Sequence, residues 1–443
     1  MVNRALITLI QNNVEDHQMR VYIETYGCAL NKSDEALMKR VLTGRGHSIV
    51  DDPTSADALV INTCTVRLDT EYRMARRIAE LYRLAKEGGK KLVVAGCLAK
   101  AQPYKVAKLA PDASIVSPQN ADKIHLAVES NSRVVLLTGL RSRGAIGVFL
   151  MGRVAPIPAQ EGCLGNCTFC IVKHARRVLV SHPIESVKKA AEEAVRHGAV
   201  EIELTGMDLG TYGIDLYKTR KLPELIESVA EVEGNFMVRV GMLNPEHLSY
   251  ILDDLVEALK HRKVYKFLHI PLQSGSNRIL RLMGRNYTVE EYIDYVEELK
   301  SKIPGISIAT DILVGFPHET DEDFQATVEV IKKLRFERVH LAAYSIRPRT
   351  LASSLPQIPT QTKKSRVLQA LRVIELVGLE DKQRYVNTVQ SCFTTEKGRG
   401  WVCRLENYIP VVLRSGEDLD YGRWVKVAIS EATFFDLRGY VIN

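Results

Sequence analysis

The chain has 443 residues, 46% hydrophobic and 26% charged, which excludes a largely disordered polymer and gives length for about three domains. A formal net charge of +7 is mildly basic and suits a polyanionic partner. No run of about 18 uncharged apolar residues occurs, which excludes a membrane-spanning helix. The short apolar stretch Ala5–Ile10 lacks the cleavage site of a signal peptide, so a cytoplasmic protein without membrane attachment is expected.

The first strand pattern opens at Arg20, which makes Met19 a candidate start. A strand over Val21–Glu24 precedes a helix over Ser33–Thr43, with Ser33 as its N-cap and Gly44 as its stop. A strand at Ala58–Asn62, a long helix over Thr70–Glu87 and a strand at Lys91–Ala95 follow. This βαβαβ alternation predicts a parallel sheet covered by helices, in a domain spanning 19–132. From about Gly152 the alternation repeats six times. The expected strands are Val154–Pro158, Glu201–Thr205, Phe236–Val240, Tyr265–Ile270, Ile306–Asp311 and Arg338–Tyr344, with helices such as Ile184–His197 and Asp321–Leu334 between them. Six right-handed βα units curl into most of a TIM-type barrel, assigned to 149–384 and closed by a basic helix over Thr362–Lys382. The remainder, 385–443, has five short alternating runs and reads as a small β-barrel of balanced charge.

The eight cysteines are unevenly placed. Cys28, Cys64 and Cys97 each fall just past the C-terminal end of a strand of the first sheet. Open parallel sheets bind ligands at that edge, so three thiols far apart in sequence should converge in one crevice; the alternative is three buried structural cysteines. Cys163, Cys167 and Cys170 lie in Gly162-Cys163-Leu164-Gly165-Asn166-Cys167-Thr168-Phe169-Cys170, a C-x3-C-x2-C loop after the first barrel strand. Thiolates at this spacing suit an iron–sulfur cubane with one open iron, or zinc with His174 as fourth ligand. Cys392 and Cys403 lie inside strands of the small barrel and are expected to be free core thiols, since disulfides are rare in cytoplasmic proteins.

The cysteine loop resembles the signature of the radical S-adenosylmethionine (SAM) superfamily. That resemblance implies a 4Fe–4S cluster on Cys163, Cys167 and Cys170, whose open iron chelates SAM, with Phe169 against the adenine. One electron then cleaves SAM to methionine and a hydrogen-abstracting 5′-deoxyadenosyl radical. The whole chain, from about Arg20 to Ile442, resembles the methylthiotransferases. This implies a second 4Fe–4S cluster on Cys28, Cys64 and Cys97, and a C-terminal barrel like the RNA-binding TRAM domain. The stretch Leu204-Thr205-Gly206-Met207-Asp208-Leu209-Gly210-Thr211-Tyr212-Gly213 is similar to the subgroup acting on threonylcarbamoyladenosine in tRNA. Cys170-Ile171-Val172-Lys173-His174-Ala175-Arg176 is similar to its archaeal and eukaryotic branch, with Arg177 departing from the usual glycine.

Strand-end motifs around Thr205-Gly206, His269–Ser276, Thr310–Thr320 and Tyr344–Thr350 supply the other expected SAM contacts. Gln273 and Asp311 could hydrogen-bond ribose or amine, Arg239 could pair with the methionyl carboxylate, and Thr205, Gly206 and Tyr344 line the mouth. No residue stands out as a general acid or base. Two windows are locally basic: Glu71–Lys108 holds ten Lys/Arg against three Glu, and Ile331–Arg384 twelve against four acids. From these, Arg73, Arg76, Arg77, Lys363, Lys364 and Arg366 are candidates for RNA phosphates, and Arg347 and Arg349 for the threonyl carboxylate. The resemblance thus implies 2-methylthiolation of threonylcarbamoyladenosine in a tRNA anticodon stem-loop, using two SAM molecules, one to methylate the sulfur and one to give the radical, with external electron and sulfur donors. Isopentenyladenosine or a ribosomal-protein aspartate are the alternative substrates, and a zinc-stabilised, non-catalytic RNA-binding protein is the alternative of another class.

Overall fold

The computed structural model describes residues 18–66, 68–398, 400–414 and 419–442; the Ala5–Ile10 stretch lies outside them. The chain divides into two compact units, one of Met1–Phe149 with Ile171–Val180, the other of Leu150–Cys170 with Ser181–Asn443. The stretch just after the C-x3-C-x2-C loop, expected to belong with the barrel, is therefore part of the N-terminal unit.

That unit is built on a six-stranded parallel sheet. Its strands are β1 (Arg20–Thr25), β2 (Ser48–Val50), β3 (Ala58–Thr63), β4 (Lys91–Gly96), β5 (Ser114–Val116) and β6 (Val135–Leu136), in the order β2-β1-β3-β4-β5-β6. Every residue of β3 is buried, as a central parallel strand requires. Leu59 and Ile61 pack on one face with Met74, Ile78 and Leu81 of the helix Leu68–Glu87. Ala58 and Val60 pack on the other with Leu37, Met38 and Leu42 of the helix Ala29–Thr43. The latter helix starts one turn earlier than Ser33. Cys28 takes the N-cap position, and Ser33 is buried inside the helix, donating to the Gly147 carbonyl at 2.8 Å. The short strands β2, β5 and β6 have two or three residues each, too few for an alternating pattern to stand out.

The second unit holds six parallel strands in sequence order: β7 (Val154–Pro158), β8 (Glu201–Thr205), β9 (Met237–Val240), β10 (Phe267–His269), β11 (Ser307–Val314) and β12 (Arg338–Ala343). Single bridges, Val238 to Val264 and Met242 to His269, join its two three-stranded halves into an incomplete barrel. The helix Thr360–Gln383 follows, then a closed antiparallel-rich barrel of β13 (Val389–Lys397), β14 (Trp401–Leu405), β15 (Pro410–Leu413), β16 (Trp424–Ala432) and β17 (Leu437–Ile442). This small barrel docks under the strand starts of the large one. Tyr408 donates its hydroxyl to Glu201 at 2.7 Å and packs edge-on against Tyr265, while Phe393 joins Met237 and Ala309 in one core. The opposite end, where barrel enzymes do their chemistry, is left to the cysteine loop. Cys392 and Cys403 are not free thiols. They sit at diagonal positions on neighbouring strands with Cα atoms 5.5 Å apart, within bridging range, and form a disulfide inside the small barrel.

Candidate functional site

In the N-terminal unit, Cys28, Cys64 and Cys97 follow β1, β3 and β4, three adjacent strands, so their thiols meet at one sheet edge. Each is near enough to influence the others electrostatically. Two glycines let the backbones close in. Gly27 has φ +119°, and a Cβ there would lie 2.8 Å from the Cys64 Cβ. Gly96 has φ +92°, and a Cβ would run into the Asn62 side chain and the Thr63 backbone. Cys28 is exposed; Cys64 and Cys97 are buried. Burial pushes the Cys64 thiol up and the Cys97 thiol up to about 12, against the opposing pull of the nearby Arg176 charge. Thiols this desolvated become thiolates through a metal. With three sulfur donors, the edge fits a three-ligand iron–sulfur site.

Sequence reasoning missed the polar frame of this edge. Asn31 and Asp34 lie on the helix that begins after Cys28. Asn31 donates to the carbonyls of Tyr26 and Thr63, at 2.8 and 2.9 Å, fixing the turns after β1 and β3. Arg176 is buried against them and donates Nε–H to the Cys97 sulfur at 3.3 Å. Nothing local marks these residues, because their roles depend on strand order and on the return of Ile171–Val180 to this unit.

In the second unit, the loop after β7 gathers Cys163, Cys167 and Cys170, all partly exposed. The Gly165 amide donates to the Cys163 sulfur at 3.2 Å, and Arg285 to the Cys167 sulfur at 3.2 Å. Thr168 pins the loop: its amide donates to the Met283 carbonyl at 2.9 Å and its hydroxyl to that of Leu282 at 2.8 Å. Arg285, another residue without a sequence signal, also donates to the Pro271 carbonyl at 3.2 Å. Burial, with the neighbouring Asp208 charge, pushes the Cys163 thiol up to about 12. The donor set fits a cubane with an open corner.

Phe169 and Tyr344 share an apolar wall with Phe316, whose ring lies 6.4 Å from Phe169 and 5.4 Å from Tyr344. Thr205 is buried, and Gly206 leaves space that a Cβ would take from Leu209, at 2.7 Å. Asp208, next along, is buried. Its carboxylate accepts the amides of Asn244 at 2.9 Å and Gly210 at 3.2 Å, and burial raises it to about 7. The Asn244 amide nitrogen lies 3.6 Å from where a Cβ on Gly165 would stand, so Asp208 and Asn244 border the cysteine loop. Gln273 has φ +71° and donates its amide to the Asp311 carbonyl at 2.8 Å. Asp311 itself is hydrogen-bonded to His269 at 2.9 Å, with His340 beside them.

Three expected contacts are engaged elsewhere. Arg239 sits opposite Glu203 in the β8–β9 register and is ion-paired with it, its guanidinium stacked over Phe267 and Tyr408, rather than held out for a carboxylate. Arg366 is buried, clamped by Glu319 and Asp321, both at 2.7 Å, and does not face solvent as a phosphate ligand must. Arg77 spans Glu24 at 2.9 Å and Glu80 at 3.2 Å. Lys363 is half-buried, donating to the Tyr344 carbonyl at 3.2 Å. Arg347 is buried, whereas Arg73, Arg76, Arg349 and Lys364 are exposed.

The model of the radical SAM superfamily matches residues 157–331, and that of the uncharacterized protein family UPF0004 matches residues 20–117. A probable threonylcarbamoyladenosine tRNA methylthiotransferase of Methanocaldococcus jannaschii is 38% identical over 433 residues, 96% of this chain and 97% of its own. The chain belongs to the threonylcarbamoyladenosine tRNA methylthiotransferase family. A second such relative, from Methanothermobacter thermautotrophicus, is 39% identical over 94% of this chain and 98% of its own. Among solved structures, the radical SAM methyltransferase TsrM of Kitasatospora setae, with cobalamin and a [4Fe-4S] cluster bound, shares the fold. Its TM-score is 0.58 at 13% identity, over 76% of this chain and 74% of that one. Membership in this family makes the chain a radical SAM enzyme, with SAM and a 4Fe–4S cluster as cofactors. Among the described residues, no helix is long and apolar enough to cross a membrane.

Proposed function

We propose that this protein attaches a methylthio group to carbon 2 of N6-threonylcarbamoyladenosine beside the tRNA anticodon. The observation that carries the reading is full-length similarity to archaeal enzymes of that name in a chain that contains both cysteine trios. Cys163, Cys167 and Cys170 hold the cluster that binds SAM; Cys28, Cys64 and Cys97 hold a second 4Fe–4S cluster. When bound, these groups supply reductive SAM cleavage and a site for the sulfur to be transferred. The net change replaces the C2–H of adenine by C2–SCH3: one SAM would give its methyl group to the sulfur and leave as S-adenosylhomocysteine, and a second would be cleaved to methionine, with the adenine hydrogen leaving on 5′-deoxyadenosine.

The chain's own residues shape and dry the site. Phe169 and Tyr344 form an apolar wall for the nucleoside, and Asp208 and Asn244 offer buried acceptors to the methionyl amine. Arg285 holds Cys167 in place. The exposed Arg73, Arg76, Arg349 and Lys364 meet tRNA phosphates, Arg349 being the nearer in sequence to the strand ends. An external one-electron donor and a sulfur donor complete the reaction, which takes place in the cytoplasm with the anticodon stem-loop as substrate.

The test offers the reconstituted enzyme tRNA bearing threonylcarbamoyladenosine, isopentenyladenosine or plain adenosine, with SAM, sulfide and reductant. Digested nucleosides should show methylthiolation of the first alone. A pocket built for a polar arm leaves its partners unpaired around an isopentenyl group, at about 1–3 kcal/mol each. Equal turnover of the isopentenyl substrate overturns the substrate assignment, and modification of a ribosomal protein alone overturns tRNA as the substrate.

A further inference from the structure

Arg176 is among the most completely buried large side chains of the protein, 1% exposed. Its Nε–H points at the Cys97 sulfur, 3.3 Å away. One terminal nitrogen donates to Asn31 Oδ1 at 3.1 Å and is ion-paired with Asp34. The other oxygen of Asp34 is taken by Arg141, which also donates to the Pro118 carbonyl at 2.8 Å. Asp34 is therefore held between two guanidinium groups and cannot swing away, and Arg176 is held in turn. The same Asn31 Oδ1 accepts from the Cys97 thiol at 3.6 Å, so Arg176, Asn31 and Cys97 form one hydrogen-bonded cluster. A guanidinium stays charged at every accessible pH, and burying one is costly unless it is needed where it lies. Ala175 and Ile171 pack with Cys97 and Ala101, so the segment that delivers the arginine is itself anchored at this edge.

We propose that Arg176 is a positioning residue of the N-terminal cysteine site, holding the Cys97 sulfur by a charge-assisted hydrogen bond and raising the reduction potential of the cluster bound there. The inference rests on the reading of Cys28, Cys64 and Cys97 as cluster ligands. Hydrogen bonds to cluster sulfurs and nearby positive charge both favour the reduced cluster, and partners around the ligands tune the metal as the ligands do. A lysine would keep the charge but lose the planar geometry that reaches sulfur, Asn31 and Asp34 together.

The experiment uses the full chain with Cys163, Cys167 and Cys170 changed to Ala, so that only the N-terminal site binds iron, and compares it with the same chain carrying Arg176→Gln or Arg176→Lys. Iron and sulfide are assayed, folding is followed by circular dichroism, and the midpoint potential is taken from an EPR-monitored redox titration. The expected result is a midpoint shifted to more negative potential in Arg176→Gln, and by less in Arg176→Lys. Should the Gln variant lose its iron, the Lys variant decides. Loss of iron from both while melting stays unchanged also supports the positioning role, and the parent's iron content and midpoint in the Lys variant, or in both variants, overturn it. If the parent chain itself binds no iron, the second-cluster reading fails, and this inference with it.

Discussion

The two cysteine trios bring three thiols together by opposite routes. The barrel trio is a local device: three thiols within one loop, partly exposed, pinned through Thr168 to the backbone of residues 282–283. The N-terminal trio is a product of topology. Its thiols are separated by dozens of residues and meet only because β1, β3 and β4 are neighbours in a parallel sheet, and two of the three are buried. Each trio nevertheless has an arginine donating to one sulfur, the half-buried Arg285 to Cys167 and the buried Arg176 to Cys97. A loop can be offered to a cofactor and a substrate; a buried sheet edge keeps its contents in place.

The largest effects should separate the trios by role. Changing Cys163, Cys167 and Cys170 to Ala should abolish 5′-deoxyadenosine formation and lower bound iron from about eight to about four per chain. Changing Cys28, Cys64 and Cys97 should also leave about four irons, with SAM cleavage retained and methylthio transfer lost. Loss of SAM cleavage in a folded N-terminal mutant would break the division.

The same contrast explains what the sequence discloses. The loop trio is legible from spacing alone, and β7 and β8 fall at their expected bounds because flanking glycines and charged residues punctuate apolar runs. The N-terminal trio is legible only through the rule that ligands gather at strand ends. Its frame of Asn31, Asp34 and Arg176 is illegible, since it depends on where Ile171–Val180 returns. The basic windows mislead for a related reason: charge counts do not reveal that Arg366 and Arg77 have acidic partners. The Cys392–Cys403 bridge likewise depends on strand neighbours, not on spacing.

Thiol reactivity in the metal-free chain offers a second separation. Cys28 is exposed, whereas Cys97 is buried with its thiol raised to about 12. Near pH 8 burial therefore keeps Cys97 overwhelmingly in its unreactive thiol form. Iodoacetamide followed by peptide mass spectrometry should label Cys28 first and Cys97 last within the N-terminal trio, the gap narrowing as pH rises and Cys97 ionises. Equal rates at pH 8 would mean that the sheet edge is open.

Backbone tolerance should differ as well. Gly96→Ala places a Cβ on a residue at φ +92° against Asn62 and Thr63, and should destabilise the chain by about 2–4 kcal/mol in denaturant unfolding. Gly165→Ala meets the Cys163 sulfur at 3.3 Å and otherwise makes ordinary contacts, Asn244 Nδ2 at 3.6 Å and the Cys167 sulfur at 3.8 Å, and should cost less than about 1 kcal/mol. A mild Gly96→Ala would argue against the tight edge.

The smallest effects belong to the surface. A solvent-facing cation that meets a phosphate releases a counterion, so its loss should lower the salt dependence of tRNA binding without harming the fold. Lys364→Ala and Arg73→Ala should each weaken binding modestly, and each should reduce the slope of log K against log salt by about 0.7–0.9 for every phosphate no longer neutralised. Melting should stay unchanged, because both residues are exposed. Arg366 inverts the pattern. Its removal leaves Glu319 buried without its partner, which costs about 3–5 kcal/mol of stability, while the salt slope of the surviving folded protein should not move. A changed salt slope in Arg366→Ala would return that residue to the RNA surface. An unchanged slope in both Lys364→Ala and Arg73→Ala would remove those two from it. Measuring binding at several salt concentrations alongside melting separates the two kinds of basic residue that a charge count merges.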